Sequence, residues 1–144
     1  MHLLFSANRW EAAQSISDKL QQGKTLVVDR YAYSGACFTA AKGLSMDWCK
    51  SPDCGLPAPD IVLFLDLPIE KAKLRGEFGA ERYEKEAFQI KVRQLFLQLG
   101  ASEPNWHNVD ADQTIDELAR VLGKMAVETI QKVKDLPIRK LYAC

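Results

Sequence analysis

Residues 61–66 read Ile-Val-Leu-Phe-Leu-Asp, five apolar positions in a row that stop at a carboxylate. A strand with one wet face alternates apolar and polar residues, whereas an unbroken short apolar run belongs to a parallel strand covered on both faces. Pro68 stands where it can open a helix. Upstream, Thr25-Leu26-Val27-Val28-Asp29 repeats the pattern and stops at the charged pair Asp29-Arg30. Downstream, Trp106-His107-Asn108-Val109-Asp110 reads as a third, weaker strand.

Helical periodicity fills the spaces between these runs. Leu3, Ala7, Trp10, Ala13, Ile16 and Leu20 form one apolar stripe, with Gly23 placed to end the helix. Residues 34–50 read as helical pieces with Ser45 as a cap, and the proline-rich stretch 51–60 as a loop. Phe88, Val92, Leu95, Phe96 and Leu99 make a second stripe closed by Gly100. Thr114 and Glu117 have the spacing of a capping box, ahead of Ile115, Leu118, Leu122, Met125, Ala126, Ile130 and Val133 on one helical face; Pro137 is expected to end regular structure. The alternation predicts an α/β fold, a parallel sheet with helices on both faces, in a single domain spanning 1–144. Residues 75–83 carry two glycines among clustered charges and read as a mobile surface loop.

Composition excludes several classes of partner. A chain that is 47% hydrophobic and 26% charged can bury a core as a soluble globular domain. Nineteen basic against nineteen acidic residues leave no net charge to attract a nucleic acid or an anionic membrane, so anion binding must be local. No apolar run is long enough for a membrane helix and the start lacks a signal pattern, which points to the cytoplasm with the nucleus as an alternative. Cys37, Cys49, Cys54 and Cys144 are too irregularly spaced for a zinc signature and are expected as reduced, partly buried thiols.

Ligands of open α/β sheets bind at the carboxyl ends of strands, and here Asp29-Arg30 and Asp66 mark such ends. Three motifs surround them: Leu4-Phe5-Ser6-Ala7-Asn8-Arg9-Trp10-Glu11, Val28-Asp29-Arg30-Tyr31-Ala32-Tyr33-Ser34-Gly35 and Phe78-Gly79-Ala80-Glu81-Arg82-Tyr83-Glu84. Together they resemble the thymidylate kinase family, in the family's order, from Met1 to about Thr129. The resemblance implies a P-loop NTPase-like, nucleoside monophosphate kinase fold that moves the γ-phosphoryl of ATP to dTMP, giving dTDP and ADP, with Mg2+.

The resemblance also implies roles for individual residues. Phe5 would stack on the thymine and Arg9 bond a base carbonyl; their four-residue separation puts both on one helical face. Periodicity alone would place Phe5 in the core and Arg9 on the surface. Arg30 would clamp the acceptor phosphate, and Asp29 would position the acceptor and, through water, the metal. The competing reading of Asp29-Arg30 is a surface ion pair. Gly35 and Phe38 would line the thymidine site, Arg75 and Arg82 would act as lid arginines, and Tyr83 and Gln89 would touch nucleotide at the lid's edge. Ala111, Asp112 and Gln113 match an adenine-contacting position. A different nucleotide kinase would share the strand-end Asp-Arg pair, but the Phe5 and Arg9 pairing favours thymidylate.

One family feature does not occur in the sequence. A P-loop, Gly-x-x-x-x-Gly-Lys-Ser/Thr, follows a strand and opens a helix so that its amides cradle phosphate. Gly23-Lys24-Thr25 has the last three letters, but Asp18 stands where the first glycine belongs and the triplet follows a helix. In the family the P-loop strand lies mid-sheet, before the region matched here, so the sheet is expected to lack that strand and the runs 25–29 and 61–65 to have unpaired edges. Little or no kinase activity is therefore expected of these residues alone. The alternative is a non-catalytic form that keeps the thymidylate pocket or pairs its exposed strands with a full-length subunit; separately, the resemblance implies a homodimer through a helix like the first one here.

Overall fold

The computed structural model describes residues 1–75 and 86–142. They form two compact units, Met1–Asp60 with Ile130–Cys144, and Ile61–Thr129.

The first unit is helical. α1 (His2–Gln21) ends as expected at Gly23, whose φ of +74° suits a residue without a Cβ. Gly23 N–H donates to Leu20 C=O and Lys24 N–H to Lys19 C=O, so the last carbonyls are satisfied by a Schellman arrangement. α2 (Ala32–Ala40) is short and almost wholly buried. α3 (Met46–Lys50) is capped by Ser45, whose Oγ accepts from Trp48 N–H, and runs into a 3₁₀ turn at Ser51–Asp53.

Two expectations for the regular structure of this unit are corrected. The stretch 25–29 is not a strand: residues 24–28 have no regular structure, and Val27 is 95% exposed. A strand exists only by pairing, and among the described residues no strand lies beside this one. The packed face of α1 also differs from the apolar stripe. Leu3 and Trp10 stay about half exposed, whereas Ser6 is buried and Arg9 nearly so, because His2, Ser6 and Arg9 face α2, α3 and the 3₁₀ turn. A polar stripe packs here because its hydrogen-bond partners are buried with it.

The tail beyond Pro137 is ordered too. Leu141 N–H donates to Leu56 C=O at 2.7 Å, Gly55 N–H to Leu141 C=O and Ala58 N–H to Arg139 C=O, and Pro57 bridges Lys140 in antiparallel fashion. Leu56 and Leu141 are buried together with this pairing. Cys37 and Cys49 are free and buried as expected, burial pushing the Cys37 thiol up to about 12. Cys54 departs from the expected reduced state: it is disulfide-bonded, at the point where the tail runs beside it.

The second unit carries the sheet. β1 (Val62–Asp66) pairs in parallel with β2 (Trp106–Asp110), Val62 opposite Trp106 through to Asp66 opposite Asp110. The sheet therefore has two strands among the described residues, not the three expected. Pro68 caps α4 (Ile69–Lys73), and α5 (Glu86–Ala101) buries Val92 and Leu99. Phe64 of β1 stacks on Phe96 of α5 at 5.0 Å between centroids, with Trp106 leaning on both. α6 (Ile115–Val133) starts at the predicted capping box: Thr114 N–H donates to Glu117 Oε2, and Glu117 N–H to Thr114 Oγ1. Its apolar face is at most half-buried, and the helix carries the chain back into the first unit.

Candidate functional site

α2 organises the candidate site in the first unit. Tyr31 is its N-cap, and Arg30 just before it has φ of +63°, the left-handed region that a bulky residue seldom occupies. Such backbone conformations cost on the order of 1 kcal/mol and persist where surrounding structure enforces them. This turn sends the Arg30 side chain back along α2. Its Nε donates to Ser34 Oγ at 2.9 Å, and the guanidinium lies 4.8 Å from the centre of the Phe38 ring. Arg30 makes no ion pair with Asp29, which is exposed and has no hydrogen bond among the described residues. The surface-pair reading of these two residues therefore has no support.

Arg9 reaches the same helix from α1. A Cβ on Gly35 would sit 3.3 Å from Arg9 Nη2 and 3.6 Å from Nη1, so the glycine lets the guanidinium rest against the α2 backbone. Arg9 is held from the other side by Asp53: Nε donates to Oδ1 at 2.9 Å and Nη2 to Oδ2 at 2.6 Å. Ser6 Oγ donates to the same Oδ1 at 2.7 Å, and Asp53 is wholly buried. Around this cluster, Tyr31 donates its hydroxyl to Pro57 C=O; burial first, then the Asp53 charge, push its phenol above the usual range, with Arg9 partly offsetting them. Phe5, one turn before Arg9, is largely exposed.

The predicted residues thus fall into groups. Arg9, Arg30, Gly35 and Phe38 meet on α2; Phe5 and Asp29 belong to the same unit but remain open to solvent. Arg75 and Gln89 belong to the second unit, where Arg75 donates to Ala111 C=O at 2.6 Å and Gln89 is half-buried on α5. Arg82 and Tyr83 lie outside the described residues. Asp66, the other strand-end carboxylate, is engaged by Arg93 through two bonds of 2.6 and 2.8 Å, and that hydrogen bonding raises the Arg93 pKa. Asp112 pairs with Lys71, and Gln113 donates to Asp110 C=O.

Sequence reasoning missed Asp53, Ser6 and His2. Asp53 sits in a stretch read only as loop, His2 belongs to no motif, and Ser6 lies inside the first motif but was given no role there. The available signal was the spacing of His2, Ser6 and Arg9, which puts three polar groups on one helical face.

Comparison with known proteins agrees with these observations. The Thymidylate kinase family model matches residues 1–121. A human thymidylate kinase is 49% identical over 99% of this chain, which spans 68% of that protein. An Arabidopsis thaliana thymidylate kinase is 45% identical over 92% of this chain and 49% of its own length. The solved structure of thymidylate kinase from Candida albicans superposes with a TM-score of 0.85 at 40% identity, over 98% of this chain and 72% of that one.

Proposed function

Because the chain belongs to the thymidylate kinase family, we propose that its first unit is the acceptor-nucleotide site for dTMP in phosphoryl transfer from ATP. In this reading Phe5 stacks on the thymine, Arg9 donates to a base carbonyl, and Gly35 and Phe38 line the nucleoside. Arg30 grips the acceptor phosphate beside Asp29. The observation that supports it is the convergence on α2, within one helical turn, of Arg9 against Gly35 and Arg30 over Phe38. Two guanidinium groups brought against one short helix from different elements suit a ligand with a carbonyl at one end and a phosphate at the other. Arg75, Arg82, Tyr83 and Gln89 are proposed as the lid-side contacts.

Donor ATP does not fit the residues at hand. The partial match Gly23-Lys24-Thr25 cannot cradle phosphate, since the N–H groups of Gly23 and Lys24 are committed to closing α1. Among the described residues no three carboxylate, histidine or cysteine groups gather to hold a metal. Asp29 would support Mg2+ only through water, with the rest of the metal's shell drawn from phosphates. No step is therefore derived through either group, and these 144 residues by themselves are expected to bind dTMP and turn it over poorly.

Thermal melting of the 144-residue chain in a panel of nucleoside monophosphates tests the reading. dTMP should raise the melting temperature more than any other, and dTDP formation from ATP should be nearly absent. Preferential stabilisation by a purine monophosphate would overturn the substrate, and rapid dTDP formation would overturn the missing donor site. The alternative, a non-catalytic form that pairs with another subunit, is favoured by the exposure of Leu3 and Leu4 on α1. It predicts association without dTMP stabilisation.

A further inference from the structure

We propose that Asp53 is a positioning residue for the base-reading arginine, acting through Arg9 and not on the nucleotide. The inference rests on the reading of Arg9 given above and adds to it the residue that makes Arg9 selective.

An arginine has five N–H donors and many rotamers, so a lone guanidinium on a helix surface adds charge without direction. Asp53 removes that freedom. Its carboxylate takes the Nε and Nη2 edge of the fork, at 2.9 and 2.6 Å, and is itself fixed by Ser6 Oγ at 2.7 Å. No hydrogen bond among the described residues uses Arg9 Nη1. With one edge occupied and one face against Gly35, the Nη1 end is the part of the fork left to address a ligand.

Burial makes the arrangement directional as well as rigid. Asp53 is 0% exposed and the Arg9 side chain 13%, so water competes little for either group and the pair is not the loose surface type. The Asp53 backbone is held from two sides. Trp10 Nε1 donates to Pro52 C=O at 2.8 Å, and Leu56 N–H donates to Asp53 C=O next to the docked tail. The carboxylate thus sits on a braced turn instead of a free loop. Its chemistry is complementary to the role: a neutralised, oriented guanidinium recognises a neutral carbonyl acceptor, while Arg30, which has no carboxylate partner among the described residues, is left for the phosphate.

A double-mutant cycle on dTMP affinity, measured by titration calorimetry on the 144-residue chain, tests this with Arg9→Ala, Asp53→Asn and the two combined. Asp53→Asn is nearly isosteric but presents an amide where Nη2 needs an acceptor. It is expected to weaken dTMP binding by roughly tenfold, the size of coupling seen between members of one polar network. The combined variant should bind within about twofold of Arg9→Ala, since Asp53 has nothing left to orient. Additive losses would assign Asp53 to the fold alone, and unchanged affinity in Asp53→Asn would overturn the proposal outright. Unchanged affinity in Arg9→Ala, or no dTMP binding by the parent chain, would instead overturn the underlying pocket reading. If Asp53→Asn does not fold, Ser6→Ala replaces it, loosening the carboxylate without removing it. A few-fold loss that disappears in the Arg9→Ala background supports the proposal, and a loss that persists there, or none, overturns it.

Discussion

Residues 25–29 and 61–66 have nearly the same chemistry, an apolar run rich in β-branched residues that ends on aspartate, yet they have opposite structures. Val62–Asp66 lies in register beside Trp106–Asp110, with Phe64 under the aromatic cluster of Phe96 and Trp106. Residues 24–28 are irregular, and Val27 points almost entirely into solvent. The difference is not propensity, since both runs consist of strand-favouring residues up to the aspartate, but company. A strand's backbone groups are satisfied only by a neighbour, and its apolar side chains only by a layer above or below. The run at 61–66 has both among the described residues, while that at 25–29 has neither.

The sharpest way to break this comparison is to place the same charge in each element. Val109 is buried in β2 opposite Leu65, and Val109→Asp puts an unpaired carboxylate at a buried position of the sheet. The expected cost is about 3 kcal/mol or more, read as loss of the cooperative urea transition of the second unit. Val27→Asp, the same chemical change in an apolar run without a neighbour, should stay within about 0.5 kcal/mol of the parent. Comparable losses in the two variants would show that residues 25–29 are paired in solution.

That contrast also explains what could be read from the amino-acid order. Features decided by a few neighbouring residues were legible: the Ser45 cap, the closure of α1 at Gly23, Pro68 before α4 and the Thr114 and Glu117 box. The strand within 61–66 and the stripe containing Val92 and Leu99 were legible, but coverage of the strand on both faces is not met among the described residues: Phe64 packs on Phe96 and Trp106 while Leu65 stays 46% exposed. The packed face of α1 was not, since Ser6 and Arg9 are buried only because Asp53, more than forty residues away, is buried with them. Arg9, Arg30, Gly35 and Phe38 could be picked out by motif, whereas the carboxylate behind Arg9 belongs to no motif and becomes visible only when the loop is folded.

A smaller loss is expected where β2 begins. The Cα of Gly100 on α5 faces the Trp106 indole so closely that a Cβ would stand 2.6 Å from Cδ1 and Cε2. Gly100→Ala must displace a ring that also packs on Phe64 and Phe96 and whose backbone faces Val62 in the ladder. Overpacking of this kind costs about 1–3 kcal/mol, and the displaced indole should appear as altered tryptophan fluorescence before any loss of helix. Gly123→Ala in α6, with open space around it, is the matching control and should stabilise by up to about 1 kcal/mol. A silent Gly100→Ala would mean that the aromatic cluster has slack, and that company alone, without close fit, suffices to make β1 a strand.

The least of the three effects isolates an element that needs no company. Glu117 is held below its ordinary value of 4.5 by hydrogen bonds from the Thr114 hydroxyl and then from the Thr114 backbone N–H. A carboxylate whose folded pKa is depressed contributes stability that is fully present above its unfolded pKa and disappears as pH falls through the folded one. Glu117→Gln removes that titration while keeping the side-chain shape. The melting temperature of the parent should therefore exceed that of Glu117→Gln slightly at neutral pH, and the two should converge below pH 4.5. Equal melting temperatures at neutral pH would show instead that the cap acts through Thr114 Oγ1 on the backbone N–H of residue 117 alone, a bond both chains keep. In either case the sheet should not respond, because the start of α6 is made by residues three positions apart, whereas a strand at 25–29 would require a neighbour from elsewhere.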